Sequence, residues 1–263
     1  PTVASTYLGS GRNKLFIRGI ADSSFTGPTQ STVGQYLGDL RLSYNAPDPD
    51  LRLSDLARVE VLEGPQGTLY GAGSLGGIIR LVPNDPEMGL VSGSAMIGGS
   101  ATQHGALGGD ATATANLPLI GETAALRLTV NAETQGGYID KPALGEEDVN
   151  RTDIYSGRGT VRVTLSPDWT VDLIGVAQRT DGHDSQYADR DGPPLTRAAM
   201  VTEGFEADYA QGQLVLAGRF GSLRFKSSTG ITGHQLEERY DATVAAGSLR
   251  LFVQHNDTAM IAN

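Results

Sequence analysis

VEVLEGPQGTLYGAGSLGGIIRLVPNDP, residues 59–86, is the stretch from which the rest of the chain can be read. Val59 and Val61 alternate with Glu60, the period of a half-buried strand. Gly64-Pro65 breaks that run, and glycines follow at 67, 71, 73, 76 and 77. Glycine enters positive φ without a Cβ clash, so such a segment makes tight turns and lets another backbone come close. Ile78 to Val82 reads as a second strand. Pro83-Asn84-Asp85-Pro86 stops it, because proline supplies no ladder donor. A phosphate-binding loop would need its invariant lysine after the last glycine. No lysine lies between Lys14 and Lys141, which argues against that alternative.

The same residues resemble the end of the plug domain of TonB-dependent outer-membrane receptors, which carries a run like IEVLRGPQGTLYG…GGxIN before the first barrel strand. Val59 to Gly71 and Gly76-Gly77-Ile78-Ile79 follow that run almost continuously. Phe16-Ile17-Arg18-Gly19 is similar to the family's IRG element. The resemblance implies a small α/β plug over residues 1–86 that lacks its N-terminal part, and with it the TonB-binding segment. Residues 87–263 are then the first part of a transmembrane β-barrel.

Composition narrows the classes. The chain has 263 residues, 35 of them glycine, and a formal charge of −10. No basic stripe is available to neutralise phosphates, which argues against a nucleic-acid partner. Cysteine is absent, so disulfide frameworks and thiolate chemistry are excluded. Histidines at 104, 183, 234 and 255 show no metal-like spacing. No apolar run approaches the 18 or so residues of a spanning helix. A barrel strand needs only about ten alternating residues and escapes a hydropathy scan.

Alternation takes over after Pro86. Leu126, Leu128 and Val130 face one way, and Arg127, Thr129 and Asn131 the other. Val161, Val163 and Leu165 follow the same rule, as do Leu223 and Phe225, then Leu249, Leu251 and Val253. Apolar outside and polar inside suits an outer-membrane barrel, although a soluble antiparallel sandwich also alternates. The pattern predicts about eight antiparallel strands, a partial barrel, since a plugged lumen belongs to barrels of about 22 strands. Connections near 118–122, 167–168 and 220–221 are short. Those over 136–156, 180–205 and 236–247 are long and polar, the asymmetry of periplasmic turns and outer loops. Trp169, Phe220 and Tyr155 fall at strand ends, where an aromatic girdle would sit. Upstream, Leu53 to Arg58 reads as one helical turn capped by Ser54.

Candidate residues divide into two sets. Arg18 is either an edge cation snorkelling to water or, as the resemblance implies, a plug arginine that pairs with wall carboxylates. Glu60, Glu63 and Arg80 join it as expected plug–barrel contacts; Glu63 stands where the family often has arginine. Phe25, Tyr36 and Tyr44 lie in or beside plug loops and either face ligand or pack beneath the loops. Asp184, Tyr187 and Asp189 sit in the longest loop as ligand candidates. Asp189-Arg190-Asp191-Gly192 lacks the remaining ligands of a calcium loop, so Asp181, Asp184, Asp189 and Asp191 read as solvated loop charge. No catalytic constellation, metal site or cofactor site presents itself.

The resemblance implies a transporter without covalent chemistry. It would bind a scarce ligand, most often a ferric siderophore, and import it into the periplasm. Oligosaccharide and cobalamin are alternative ligands. The partners implied are the TonB complex of the inner membrane, outer-membrane lipid and the small-molecule ligand. Two readings from other classes remain, a passive porin-like barrel and a glycan-active enzyme on a β-sandwich.

Overall fold

The computed structural model describes residues 2–6, 9, 13–21, 29–243 and 247–262. In chain order the first elements are β1 (Val3–Ser5), β2 (Leu15–Ile17), β3 (Thr29–Gln30), β4 (Val33–Leu37), β5 (Leu40–Arg41), β6 (Asn45–Ala46), β7 (Leu56–Glu63), the one-turn helix α1 (Gly67–Tyr70) and β8 (Gly77–Pro83). β1 pairs with β2 and β3 with β6. The remaining four strands form a sheet in the order β5-β4-β8-β7. Within it β4 runs parallel to β8, and β7 antiparallel to β8.

The glycine-rich turn forms because two of its glycines have no substitute. Gly77 has φ 136, and a Cβ there would lie 2.2 Å from the Leu62 carbonyl oxygen. Gly73 has φ 75, and its Cβ would meet the Arg41 guanidinium and the Ser31 carbonyl. A side chain at Gly77 would push β7 from β8, and one at Gly73 would displace Arg41 and the Ser31 backbone.

Two expectations about this region are corrected. Leu53 to Arg58 is not helical: Asp55 takes φ 54 and the chain enters β7 at Leu56. The side chains of β7 also point the other way from the expected faces. Val59 and Val61 are exposed, while Glu60 and Leu62 are half-buried. Glu60 turns inward because Arg58 and Arg80 both bind it.

The second sheet has eight strands: β9 (Ser92–Ala101), β10 (Leu107–Ile120), β11 (Ala124–Gln135), β12 (Thr152–Ser166), β13 (Trp169–Gly182), β14 (Gly204–Phe220), β15 (Leu223–Asp241) and β16 (Leu251–Ala262). They lie in strict sequence order, and every neighbour is antiparallel. Tight turns at 121–123, 167–168 and 221–222 join strands at one end. Gly121 supplies positive φ in a three-residue turn and Gly221 in a two-residue one. Segments 136–151, 183–203 and 242–250 join them at the other end, with a short one at 102–106.

Period-2 alternation gives this sheet two unlike faces. On one, Leu128, Val130, Leu173, Leu214 and Ile231 stand exposed. In water such a face would be an apolar patch far beyond what a monomer normally shows. The other face carries Thr129, Gln178, Gln211 and His234, which are buried. At the tight-turn end Trp169 meets Phe220 edge-on at 4.8 Å and lies 5.9 Å from Phe225.

The N-terminal elements pack against the polar face. Ile17, Val33, Leu37, Leu42, Leu51, Ile79 and Leu81 form their core, and Tyr209 of β14 closes it. Each fully buried side chain of this kind contributes roughly 1.5–3 kcal/mol. The small unit thus completes its core with a residue of the large sheet.

Candidate functional site

The seam between the two parts is built mainly by residues 49–55. This segment lies along the large sheet; within its own unit the Asp55 carbonyl accepts from Asn84 N at 3.1 Å, and several of its other backbone groups are bound by the sheet. Gln178 of β13 answers them. Its Nε2 donates to the carbonyls of Pro49 and Asp50 at 3.1 and 3.0 Å, and its Oε1 accepts from Arg52 N at 3.0 Å. Arg52 reaches Glu133 of β11 at 3.1 Å, and Ser54 binds Asn131.

Asp55 ends the segment and is the most heavily bound residue of the seam. Arg127 of β11 grips both carboxylate oxygens, at 2.8 and 2.6 Å. Thr129 donates to Oδ2 at 3.0 Å, and Asn84 donates to Oδ1 at 2.8 Å. Arg158 of β12 binds the Asp55 carbonyl at 2.7 Å and the Ser54 carbonyl at 3.1 Å. Burial works against the charge on Asp55. The hydrogen bonds from Arg127, Asn84 and Thr129 outweigh it and hold the carboxyl down to about 2. Forked, charge-assisted bonds of this kind are among the stronger polar contacts a protein makes. The left-handed backbone at Asp55 aims the carboxylate at the sheet, and aspartate tolerates that conformation better than most residues.

Four further ties flank this segment. Tyr209 and Gln211 of β14 donate to the carbonyls of Leu42 and Arg41 at 3.3 Å each. Lys226 of β15 pairs with Asp39. Arg162 of β12 binds Asp172 through a fork at 2.6 Å and Asp85 at 2.9 Å. Buried Arg41 reaches the other way, to the carbonyls of Ala72 and Gly73, with its guanidinium 4.4 Å above the Tyr44 ring. One residue thus joins the wall-facing chain at its carbonyl to the glycine-rich turn at its side chain.

At the far end of the sheet the long connections interlock. Lys141 is fully buried. Its Nζ binds Asp184 at 2.7 Å and the Val201 carbonyl at 2.7 Å, with Glu203 at 4.0 Å. Arg197 links Glu203 to Asp189, both at 2.8 Å. Its hydrogen bonds to Glu203 raise its pKa despite burial. Glu203 also accepts from Asp241 N. Asp140 and Thr196 pair in parallel across the two loops. Loops 136–151 and 183–203 therefore form one bonded cap.

The residues singled out from sequence are distributed unevenly over these sites. Arg18 lies exposed at a turn with φ 53 and makes no side-chain contact with the large sheet among the described residues. Glu63 is exposed and likewise unpaired there. Glu60 and Arg80 bind each other at 3.0 Å within their own unit; Arg80 touches the wall only through Asp39, which it binds at 2.5 Å. Neither makes a hydrogen bond or ion pair with β9–β16 among the described residues, where Asp39 and Asp55 make that contact instead. Tyr36 does not face open space. It is buried edge-on against Tyr70 at 5.1 Å, donates to the Tyr70 carbonyl, and has its pKa raised by burial. Tyr44 is exposed and covers Arg41. Phe25 lies outside the described residues.

Asp184 and Asp189 are not solvated charges but carriers of the cap, because Lys141 and Arg197 reach them. Tyr187 is half-buried, and its backbone N donates to Ser185 at 3.2 Å. Sequence reasoning missed Asp55, Arg127, Arg158, Gln178, Lys141 and Glu203. A polar signal existed for Arg127, Arg158 and Gln178, which fall on the inward positions of alternating strands.

Comparison with known proteins agrees with this geometry. Residues 1–78 match the TonB-dependent Receptor Plug Domain. Over 119 residues the chain is 33% identical to the pesticin receptor of Yersinia enterocolitica, a match covering 44% of this chain and 16% of that protein. The ferric yersiniabactin uptake receptor FyuA from Yersinia pestis superposes on 91% of this chain and 38% of its own, at 17% identity and TM-score 0.75. The siderophore receptor PirA from Acinetobacter baumannii covers 98% of this chain and 40% of its own, at 13% identity and TM-score 0.70. A plug-domain match, an eight-stranded wall with an apolar outer face and a seam that fastens one to the other lead to a single reading: residues 1–78 are similar to the plug domain of TonB-dependent receptors, and the chain has the fold of such a plug followed by strands of a transmembrane β-barrel.

Proposed function

We propose that the receptor of which this chain is part sits in the bacterial outer membrane and imports a scarce small molecule, a ferric siderophore, in a TonB-dependent step. Residues 1–86 act as the plug and 87–263 as barrel wall. The observation that carries this reading is the seam at residues 49–55. A plug fastened to the inner wall by so many polar bonds closes the lumen, so passage requires work on the plug. The ferric yersiniabactin uptake receptor FyuA and the siderophore receptor PirA, whose folds the chain shares, support iron-complex uptake as the class. The wall strands of 10–19 residues reach or exceed the roughly ten needed to cross a bilayer. Their surplus lies toward the long loops, which supports an outer position for 183–203.

Uptake of radiolabelled ferric complexes by iron-starved cells carrying the complete receptor tests the proposal. Accumulation should stop when the inner-membrane proton gradient is collapsed. Uptake that persists without the gradient would establish a passive pore instead. Cysteine introduced at exposed Asp191 should react with an impermeant thiol reagent on whole cells, and cysteine at Asp168 should not. The opposite pattern would invert the topology.

A further inference from the structure

Near the cap, between Gly9 and the inner wall, lies a cavity of about 310 Å³. Its lining includes Asp110, Glu133, Gln135, Tyr138, Asn150 and Gln186 and, among the described residues, no lysine or arginine. We infer that this cavity receives a protonated amine carried by the imported ligand. The inference rests on the receptor reading above and specifies the ligand's charge.

The argument starts from strand register. Asp110 of β10 stands directly opposite Glu133 of β11, and like charges in that position destabilise a sheet. Only one of the two is compensated. Glu133 has Arg52 at 3.1 Å and accepts from Gln135 Nε2 at 2.8 Å. Asp110 is half-buried and has no hydrogen bond or ion pair among the described residues. Its carboxylate leans over Gly98, where an added Cβ would lie 2.3 Å from Oδ1. The glycine leaves the space that lets the carboxylate tilt this way.

A half-withdrawn carboxylate beside a second one creates a site that favours a cation. The neutral groups around it are already oriented. Asn150 Nδ2 donates to Gln186 Oε1 at 3.1 Å, and Gln186 Nε2 donates to the Asn150 carbonyl at 2.9 Å. Asn150 Oδ1 in turn accepts from the backbone of Tyr138 and Ile139 at 2.6 and 2.8 Å. Little reorganisation is then needed on binding, which preserves affinity. An ammonium group placed here gains a charge-assisted bond to Asp110 and relieves its repulsion with Glu133.

The test uses the complete receptor in detergent with two probes. One is a linear ferric trihydroxamate with a free terminal amine; the other is the same complex with that amine acetylated. The free-amine complex should bind about tenfold more tightly, a difference of about 1.4 kcal/mol. Asp110→Asn should remove that preference and leave the acetylated complex unchanged. Since Asp110 holds no partner among the described residues, the variant keeps the bonds that they make. Equal binding of the two complexes, binding of neither, or a preference that survives Asp110→Asn would each overturn the inference. Energised uptake of an anionic ferric tris-catecholate by the same cells would overturn it while leaving the receptor reading intact. Absence of energised uptake of any ferric complex would overturn the receptor reading itself.

Discussion

The seam at residues 49–55 and the cap over the long loops both withdraw charge from water, but they do so differently. In the cap, Lys141 is enclosed by groups of neighbouring loops, and Arg197 extends the chain of ion pairs. All of these groups belong to connections of one sheet. In the seam the carboxylate of Asp55 comes from the plug, and both arginines come from the wall. The backbone of 49–52 adds single hydrogen bonds in a row. A network closed within one body resists local opening. A row of bonds between two bodies can be released one after another. The cap is therefore suited to holding shape, and the seam to holding and letting go.

The strongest test of that contrast is Lys141→Met. It leaves Asp184 buried without its cation, while Glu203 keeps Arg197, a loss on the order of 3–5 kcal/mol. Hydrogen exchange in the intact receptor should speed up across 136–151 and 183–203 together, while residues 33–83 stay protected. Exchange confined to one loop would show that the cap is not a single unit.

Asp55→Asn comes next. The amide keeps the shape but loses the charge that Arg127 grips, at a cost of about 1.5–3 kcal/mol. Faster exchange should be confined to 45–55 and 84–87, with the cap unaffected. Cap and seam loosening together would mean that the two regions are coupled and the contrast false.

Acid provides a milder version of the same change. The Asp55 carboxyl is depressed in the folded state from 3.8 to about 2. Its stabilisation is therefore complete above about pH 4 and is lost as pH falls from there towards 2. Cleavage of 45–55 by an acid protease should rise over that window in the native receptor. In Asp55→Asn that contribution to the pH dependence should be missing. A rise beginning near neutral pH would point to a different group.

The smallest effects belong to the positions where the family's own arginine lock would be sought. Arg18→Ala and Glu63→Ala should each change stability by no more than about 0.5 kcal/mol, as expected for exposed positions whose side chains have no ion pair among the described residues. Thermal unfolding of the purified receptor measures this. A loss near that of Asp55→Asn at either position would move the lock back to the place the family pattern suggests.

Much of the fold was legible in the chain. The alternation of Leu126 to Asn131 and of Val161 to Leu165 located the wall strands, and Gly121, Gly221 and Pro167-Asp168 marked the tight turns. The glycines of 67–77 marked the compact turn of the plug. The site was much less legible. Glu60 and Arg80 were recognised as charged residues of the right segment, yet they bind each other. Asp55 was hidden in a stretch whose residues look helical, because nothing adjacent in sequence announces a left-handed aspartate.

What the sequence by itself determined is whatever depends on neighbours in the chain: the period of the strands, the stops, the turns that need glycine, and hence a plug followed by barrel strands. What the tertiary structure decided is which charges meet. Asp55 and Arg127 are 72 residues apart, and Asp55 and Arg158 are 103 apart. Whether such a pair forms depends on how far the plug is inserted and turned against the wall. A shift of one residue along a strand would turn Arg127 to the lipid face and leave Asp55 without its partner. Local periodicity says that Arg127 points inward, but only the docked core of Ile17, Leu42, Leu51 and Tyr209 says that Asp55 is there to meet it.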